Sequence, residues 1–155
     1  MFIGPCIAKK VEAREHRETI NYVLSFEEIM CMLEGKDIKI AEMSGDAAYE
    51  RDASKLGLSF PLTAGVSAAV QDTVAAMGGE VHNAQYCSGL DKCRDTVKAA
   101  AAGKLDCSYI EGMACPNGCI DGPDTVGDFH ITKVALTKYA AAAPNKQAAQ
   151  DKHTK

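Results

Sequence analysis

Residues 81–111 read VHNAQYCSGLDKCRDTVKAAAAGKLDCSYIE, and three signals in that stretch decide the fold. Val81 to Tyr86 has the composition of a short strand. Leu90, Cys93, Val97 and Ala101 fall at helical spacing and mark one face of a helix that Gly103 closes, and Cys107 to Glu111 gives a second short strand. Strand, helix and strand in that order imply right-handed crossovers and parallel pairing. The expected class is therefore α/β, a small parallel sheet flanked by helices. In such sheets ligands sit in loops at the carboxyl ends of the strands.

Working upstream, Val66, Ala69, Val70, Val74 and Met77 recur at helical spacing from Gly65, and Gly78-Gly79 ends that helix. Lys36 to Lys55 carries weak signals for a short strand at Ile38 and Ile40 and for a turn or weak helix over Asp46 to Leu56. Ser25, with Glu28 three residues on, forms a capping box before Phe26 to Leu33, and Gly35 stops that helix. Ile20 to Leu24 precedes it as a strand. Met1 to Ile3 reads as a short buried strand running into Gly4-Pro5-Cys6, a strand with unusually little lead-in. Lys9 to Glu18 is a charged segment whose Arg14 and Arg17 read as solvated surface. Downstream, Ile131 to Ala143 is a last helix ending at Pro144. The polar stretch from Asn145 to Lys155 reads as a disordered tail, which leaves residues 1–143 as one lobe and 144–155 as tail.

The chain has 155 residues, enough for one domain with its own core. It is 46% hydrophobic and 25% charged, with a net charge of -4, which argues against nucleic acid as a partner. No apolar run approaches the ~18 residues of a membrane span, and Met1 to Lys10 lacks the pattern of a secretory signal. A cytoplasmic location with no membrane partner is the expectation. Seven cysteines, an odd number, argue against a disulfide framework in that compartment, so each is core filler, metal ligand or nucleophile.

Cys115-Pro116-Asn117-Gly118-Cys119 is the stretch that points to a metal. Gly112, Gly118 and Gly122 surround it, and Pro116 and Pro123 fix its course. Glycines permit the tight turns that bring two thiolates onto one inorganic core, and soft thiolates select iron-sulfur clusters, zinc or copper(I). Spacing alone leaves zinc open, although His16, His82, His130 and His153 are scattered and none has ligand spacing to a cysteine. It also leaves open a plain Gly-rich turn with two incidental thiols. Cys31 and Cys93 lie within predicted helices and Cys107 within a predicted strand, so all three read as core; Cys87, at a strand end, is a weaker candidate for a further ligand.

Two segments resemble the iron-only hydrogenase large subunit. Residues 2–13, Phe2-Ile3-Gly4-Pro5-Cys6-Ile7-Ala8-Lys9-Lys10-Val11-Glu12-Ala13, are similar to its second signature, M-P-C-x-x-K-K-x-E. Residues 111–119, from Glu111-Gly112-Met113-Ala114 through Cys115 to Cys119, resemble its third, E-x-M-A-C-x-x-G-C. Residues 60–66 and the Ser88-Gly89-Leu90 turn are similar to the segments between. The resemblance implies the C-terminal lobe of a domain that binds the H-cluster, a 4Fe-4S cubane joined to a diiron unit with CO, cyanide and a bridging dithiolate. It implies Cys6 and Cys115 as cubane ligands and Cys119 as the cysteine bridging cubane and diiron unit. Lys9 matches the lysine that contacts a cyanide, and Met113 the methionine that packs near the diiron unit. Glu12 matches the signature carboxylate, in a supporting role.

Departures from the family pattern are equally specific. Its first signature, T-S-C-C-P-x-W, is absent and the chain has no Trp. The fourth cubane cysteine and the proton-relaying cysteine must then come from an N-terminal lobe or a partner chain, and electrons from a redox partner such as ferredoxin. Gly4 stands where the family has methionine, and Gly122-Pro123 where many members have a Gly-rich run ending in Gln. Both changes resemble the sensory branch. The resemblance thus implies an oxidoreductase lobe that interconverts protons, electrons and H2 in the complete protein, with a hydrogen-sensing module or a 4Fe-4S scaffold as the other readings.

Overall fold

Ser25 shows how directly local chemistry sets an element here. Its hydroxyl accepts from the Glu28 amide at 3.2 Å while the Glu28 carboxyl accepts from the Ser25 amide at 2.8 Å, and helix α2 (Phe26–Glu34) runs from that box to Gly35. In the computed structural model, residues 1–44 and 53–147 are described. They group into two units, Met1–Glu50 with Gly122–Gly127, and Arg51–Asp121 with Asp128–Lys155.

The first unit begins with strand β1 (Phe2–Ile3), continues through helix α1 (Ala8–Glu15) and returns in strand β2 (Val23–Leu24), which pairs parallel to β1 with Phe2 opposite Val23. Ile3 is exposed rather than buried, because a two-residue pair has one covered face at most. Helix α1 occupies a segment expected to be merely solvated surface. Its Ala, Lys, Glu and Arg are strong helix formers, Lys9 pairs with Glu12 one turn on, and Ala13 alone is buried, so an apolar stripe was never needed. A short 3-10 turn over Ile40–Glu42 stands where Ile38 and Ile40 suggested a strand. Asp46 to Asp52 of the ambiguous segment lies outside the described residues.

The second unit opens with the four-residue helix α3 (Lys55–Leu58), capped by Ser54, whose hydroxyl accepts from the Gly57 amide at 3.0 Å. Helix α4 (Gly65–Ala76) follows. Strand β3 (Gln85–Ser88), helix α5 (Leu90–Ala101) and strand β4 (Ile110–Met113) then form the strand-helix-strand unit expected, with parallel pairing from Gln85 and Ile110 to Ser88 and Met113. Both strands start three or four residues later than the composition suggested. Asn83 turns with φ 43°, and the Ser108 amide and hydroxyl both bond to the His82 carbonyl, which uses up the early residues as a turn. The parallel sheet is thus present as two two-stranded pairs. Helix α6 (Phe129–Ala141) closes the unit, opened by Asp128, whose side chain caps the His130 and Ile131 amides.

Among the described residues the buried apolar side chains are small: Ala13, Ala69, Cys87, Ala140 and Ala143, with Ile120 the one large residue among them. Leu90 and Val97, expected on the covered face of α5, are 72% and 58% exposed, since a two-stranded sheet is too narrow to cover that face. Cys31, read as core, is likewise exposed on α2, a helix with no buried residue. Among the described residues no helix is long and apolar enough to cross a membrane. Asn145, at the start of the expected tail, accepts a bond from the Lys55 amide at 2.9 Å, and residues 148–155 lie outside the described residues.

Candidate functional site

The Cys115–Cys119 loop leaves the carboxyl end of β4 and is shaped by its backbone. Asn117 (φ 63°) and Gly118 (φ 93°) both take the left-handed conformation, and the Gly118 amide returns to the Cys115 carbonyl at 3.2 Å. A β-carbon on Gly118 would sit 2.4 Å from the Pro61 carbonyl oxygen and 2.9 Å from the Thr63 nitrogen, so glycine is required on two counts. That close approach forms an antiparallel bridge between Gly118 and Leu62, extended by the Ile120 amide to the Pro61 carbonyl. The loop is also held from the side. The Asn117 amide donates to Ser88 Oγ at 2.9 Å and its side chain to Asp121 at 2.9 Å. Cys115 is half-buried, and Cys119, which opens a 3-10 turn to Asp121, is exposed. A cavity of about 510 Å³ lies beside the loop, lined among others by Thr63, Ser88, Lys92 and Asn117.

Glu111 anchors the strand that carries this loop. It is 5% exposed, and its two carboxyl oxygens accept from the Ala64 amide at 2.9 Å and the Ser67 amide at 2.6 Å. Ala64 sits at the start of α4 with φ 67° and supplies no side-chain cap, so Glu111 caps that helix from 44 residues away in sequence. A buried carboxyl is tolerated there because two amide donors and the positive end of the helix face it. Sequence reading gave this residue no role; the signal was its place as first residue of the E-x-M-A-C segment. Two residues on, the Met113 carbonyl accepts from the Gly89 amide at 2.9 Å and from the Cys93 thiol at 3.4 Å. Burial pushes the Cys93 thiol pKa up, with the neighbouring Cys87 adding to the shift. Cys87 is itself buried and donates to the Glu111 carbonyl, which makes it part of the interior.

Cys6 and Lys9 belong to the first unit. Cys6 follows β1 and stands two residues before α1, whose N-cap residue Ile7 offers no side-chain cap and whose first turn carries no acid. The Cys6 carbonyl accepts from the Lys9 amide at 3.3 Å, and the Lys9 ammonium pairs with Glu12 at 2.5 Å. Glu12 thus holds the lysine in place. Gly4 is buried, and a β-carbon there would lie 2.8 Å from the Phe2 ring.

The donors are soft in kind: cysteine sulfurs in two loops, each after a parallel strand, and no histidine among them. They do not amount to a closed site. Among the described residues no group of three or more His, Cys, Asp or Glu side chains is gathered as a metal site. Residues 1–123 match the family of the iron-only hydrogenase large subunit, C-terminal domain. The chain belongs to that family. Its mixed α/β architecture agrees with the structure of HydA(deltaEFG), in which stepwise [FeFe]-hydrogenase H-cluster assembly was revealed, at a TM-score of 0.60 and 13% identity over 97% of this chain. The chain spans 55% of that protein's length. Among curated proteins no relative matches.

Proposed function

We propose that this chain is the cluster-binding lobe of an iron-only hydrogenase-type protein, with Cys6, Cys115 and Cys119 as ligands of a 4Fe-4S cluster. The observation that carries the reading is the loop geometry at Gly118, where a left-handed glycine pressed against Pro61 and Thr63 turns the chain between two thiols at the end of β4. When bound, the cluster and its diiron unit supply the metal chemistry of 2H⁺ + 2e⁻ to H2. The residues of this chain do the rest. Cys6, Cys115 and Cys119 would hold the cluster; Lys9, steadied by Glu12, would offer ammonium donors to an anionic metal ligand; Met113 would provide a soft apolar wall. The fourth cysteine comes from an N-terminal lobe or a partner chain, and a ferredoxin-type protein exchanges electrons with the complete assembly.

Anaerobic reconstitution of the chain with iron and sulfide, followed by iron and sulfide analysis, tests the ligand set. Four irons per chain are expected in the presence of a small thiol that fills the fourth position, with near-complete loss in C115S and C119S. Zinc in place of iron in anaerobically purified protein would overturn the reading. Adding a diiron mimic and the missing loop should then give H2 evolution with reduced viologen.

A second reading is favoured by Gly4. The Phe2 ring occupies the space into which a side chain at position 4 would grow, which alters the wall that methionine provides elsewhere in the family. On that reading the lobe senses H2 with little turnover. A cluster spectrum that shifts under H2 while evolution stays negligible distinguishes it from the enzyme.

A further inference from the structure

Helix α1 carries a charge pattern that the cluster does not use. Lys10 and Arg14, four residues apart, project from one side of the helix within about 40° of each other, and Arg17 follows in the turn beyond it. Together with Ala13, Asn21 and Tyr22 they line a concavity of about 510 Å³ within the first unit. Lys10 is fixed at its edge by Glu28, 2.5 Å from the ammonium. Arg14 and Arg17 make no ion pair among the described residues. Arg94, by contrast, is flanked by Asp91 and Asp95 at 3.1 and 3.4 Å, as expected in a chain of net charge -4.

Arg14 in the last turn of α1 complements the negative end of that helix, but this accounts for one cation on a surface and not for three around a hollow. The concavity has the size of small-molecule sites, which run from about 300 to 1,000 Å³. Its lining differs from the usual apolar one: Lys10, Arg14, Arg17, Asn21 and Tyr22 contribute to it, the Asn21 amide bonded to the Arg17 carbonyl at 3.1 Å, with Ala13 and Val23 the apolar portion. Guanidinium groups bind phosphate oxygens through paired parallel hydrogen bonds, and the exposed Tyr22 ring offers a flat face to a planar group. An acidic protein would be met by cations spread over a convex face; here they ring a hollow.

We propose that this concavity binds a small phosphate-bearing anion of nucleotide size, with Arg14 and Arg17 taking the phosphates, Lys10 assisting from the edge and Tyr22 flanking the remainder of the ligand. Because α1 begins two residues after Cys6, occupancy bears on the helix that follows that cysteine. The site itself stands without any cluster.

Isothermal titration of the 155-residue chain with pyrophosphate and with ATP tests this. Saturable one-to-one binding of both probes is expected, weakened at least about tenfold in R14Q/R17Q, weakened less in R14K/R17K, which keeps the charge but not the paired bonds, and weakened by added salt. Tighter binding of ATP than of pyrophosphate, lost in Y22A, assigns the flanking role to the ring. Absence of saturable binding of either probe, or equal binding by R14Q/R17Q with an unchanged circular dichroism spectrum, overturns the proposal. So does binding of polyglutamate alone, which would make the surface a dock for an acidic protein.

Discussion

Glu111 is the residue on which most depends. Removing its side chain leaves the part-buried Ala64 amide and the buried Ser67 amide without acceptors, and each such orphan costs on the order of 1–3 kcal/mol. E111A should therefore lose about 3 kcal/mol by urea denaturation, and E111Q, which keeps one acceptor oxygen, about half of that. G118A forces a β-carbon toward Pro61 in a left-handed conformation; a loss of about 2 kcal/mol or more and a fall in bound iron are expected, the latter read by metal analysis. Glu28 behaves differently. The Lys10 side chain, then the Ser25 amide, hold its pKa below the usual carboxyl value. A carboxyl depressed in the folded state contributes stability above its unfolded pKa and loses it as pH falls through the folded one. In K10Q the Glu28 titration followed by carbon NMR should move up toward the ordinary value, and an unmoved curve would remove Lys10 as the cause. Neither Glu111 nor Glu28 announces its long-range partner in sequence. Glu28 was legible as half of a capping box, whereas the Glu111 bonds span 44 and 47 residues and depend on a fold already formed.

At the scale of elements, what was legible is what local chemistry sets. Helix α2 begins and ends where Ser25, Glu28 and Gly35 say it should, and S25A should cost about 1 kcal/mol, measured as a shift in the urea midpoint. Helices α4, α5 and α6 were visible from periodicity and from Gly78, Gly103 and Pro144. Helix α1 was not visible, because its stability comes from Ala and charged helix formers and an ion pair, signals that a search for an apolar face passes over. Strands β3 and β4 were placed early because Val81 and Cys107 look like strand residues while the His82–Ser108 bonds make their surroundings a turn. The apolar face of α5 was read correctly as a pattern and wrongly as burial: Leu90 and Val97 repeat at helical spacing, yet nothing in this narrow sheet covers them. The candidate site was legible as motif, Cys6 with Lys9 and Cys115 with Cys119. Its supports, Ser88 on Asn117 and Pro61 on Gly118, come from distant segments and needed the structure.

At the scale of the molecule, large buried side chains are scarce among the described residues. With Ile120 the single large apolar residue buried there, the apolar gain on folding rests on many half-covered groups. A ligand that binds the folded state alone then raises stability by mass action. The reconstituted chain should unfold at a higher temperature than the metal-free chain in scanning calorimetry, and C115S/C119S should abolish the difference. An equal melting temperature with and without cluster would separate cluster binding from folding. Both units repeat one plan, a parallel pair joined through a helix with a cysteine at a strand's carboxyl end, so the family likeness resides in topology as much as in the matched signatures.

The two amides clasped by Glu111 have a practical use. The Ser67 N-H lies 2.6 Å from its acceptor, on a carboxyl four residues upstream of Cys115 along the same chain. Such a short contact should push the amide proton resonance far downfield and shield it from exchange with deuterated solvent. In a nitrogen-labelled sample it would be an isolated signal, connected through one short strand to the thiolate loop and set at the mouth of another helix. The protein thereby carries its own spectroscopic gauge: whatever settles between Cys115 and Cys119 can be followed at Ser67.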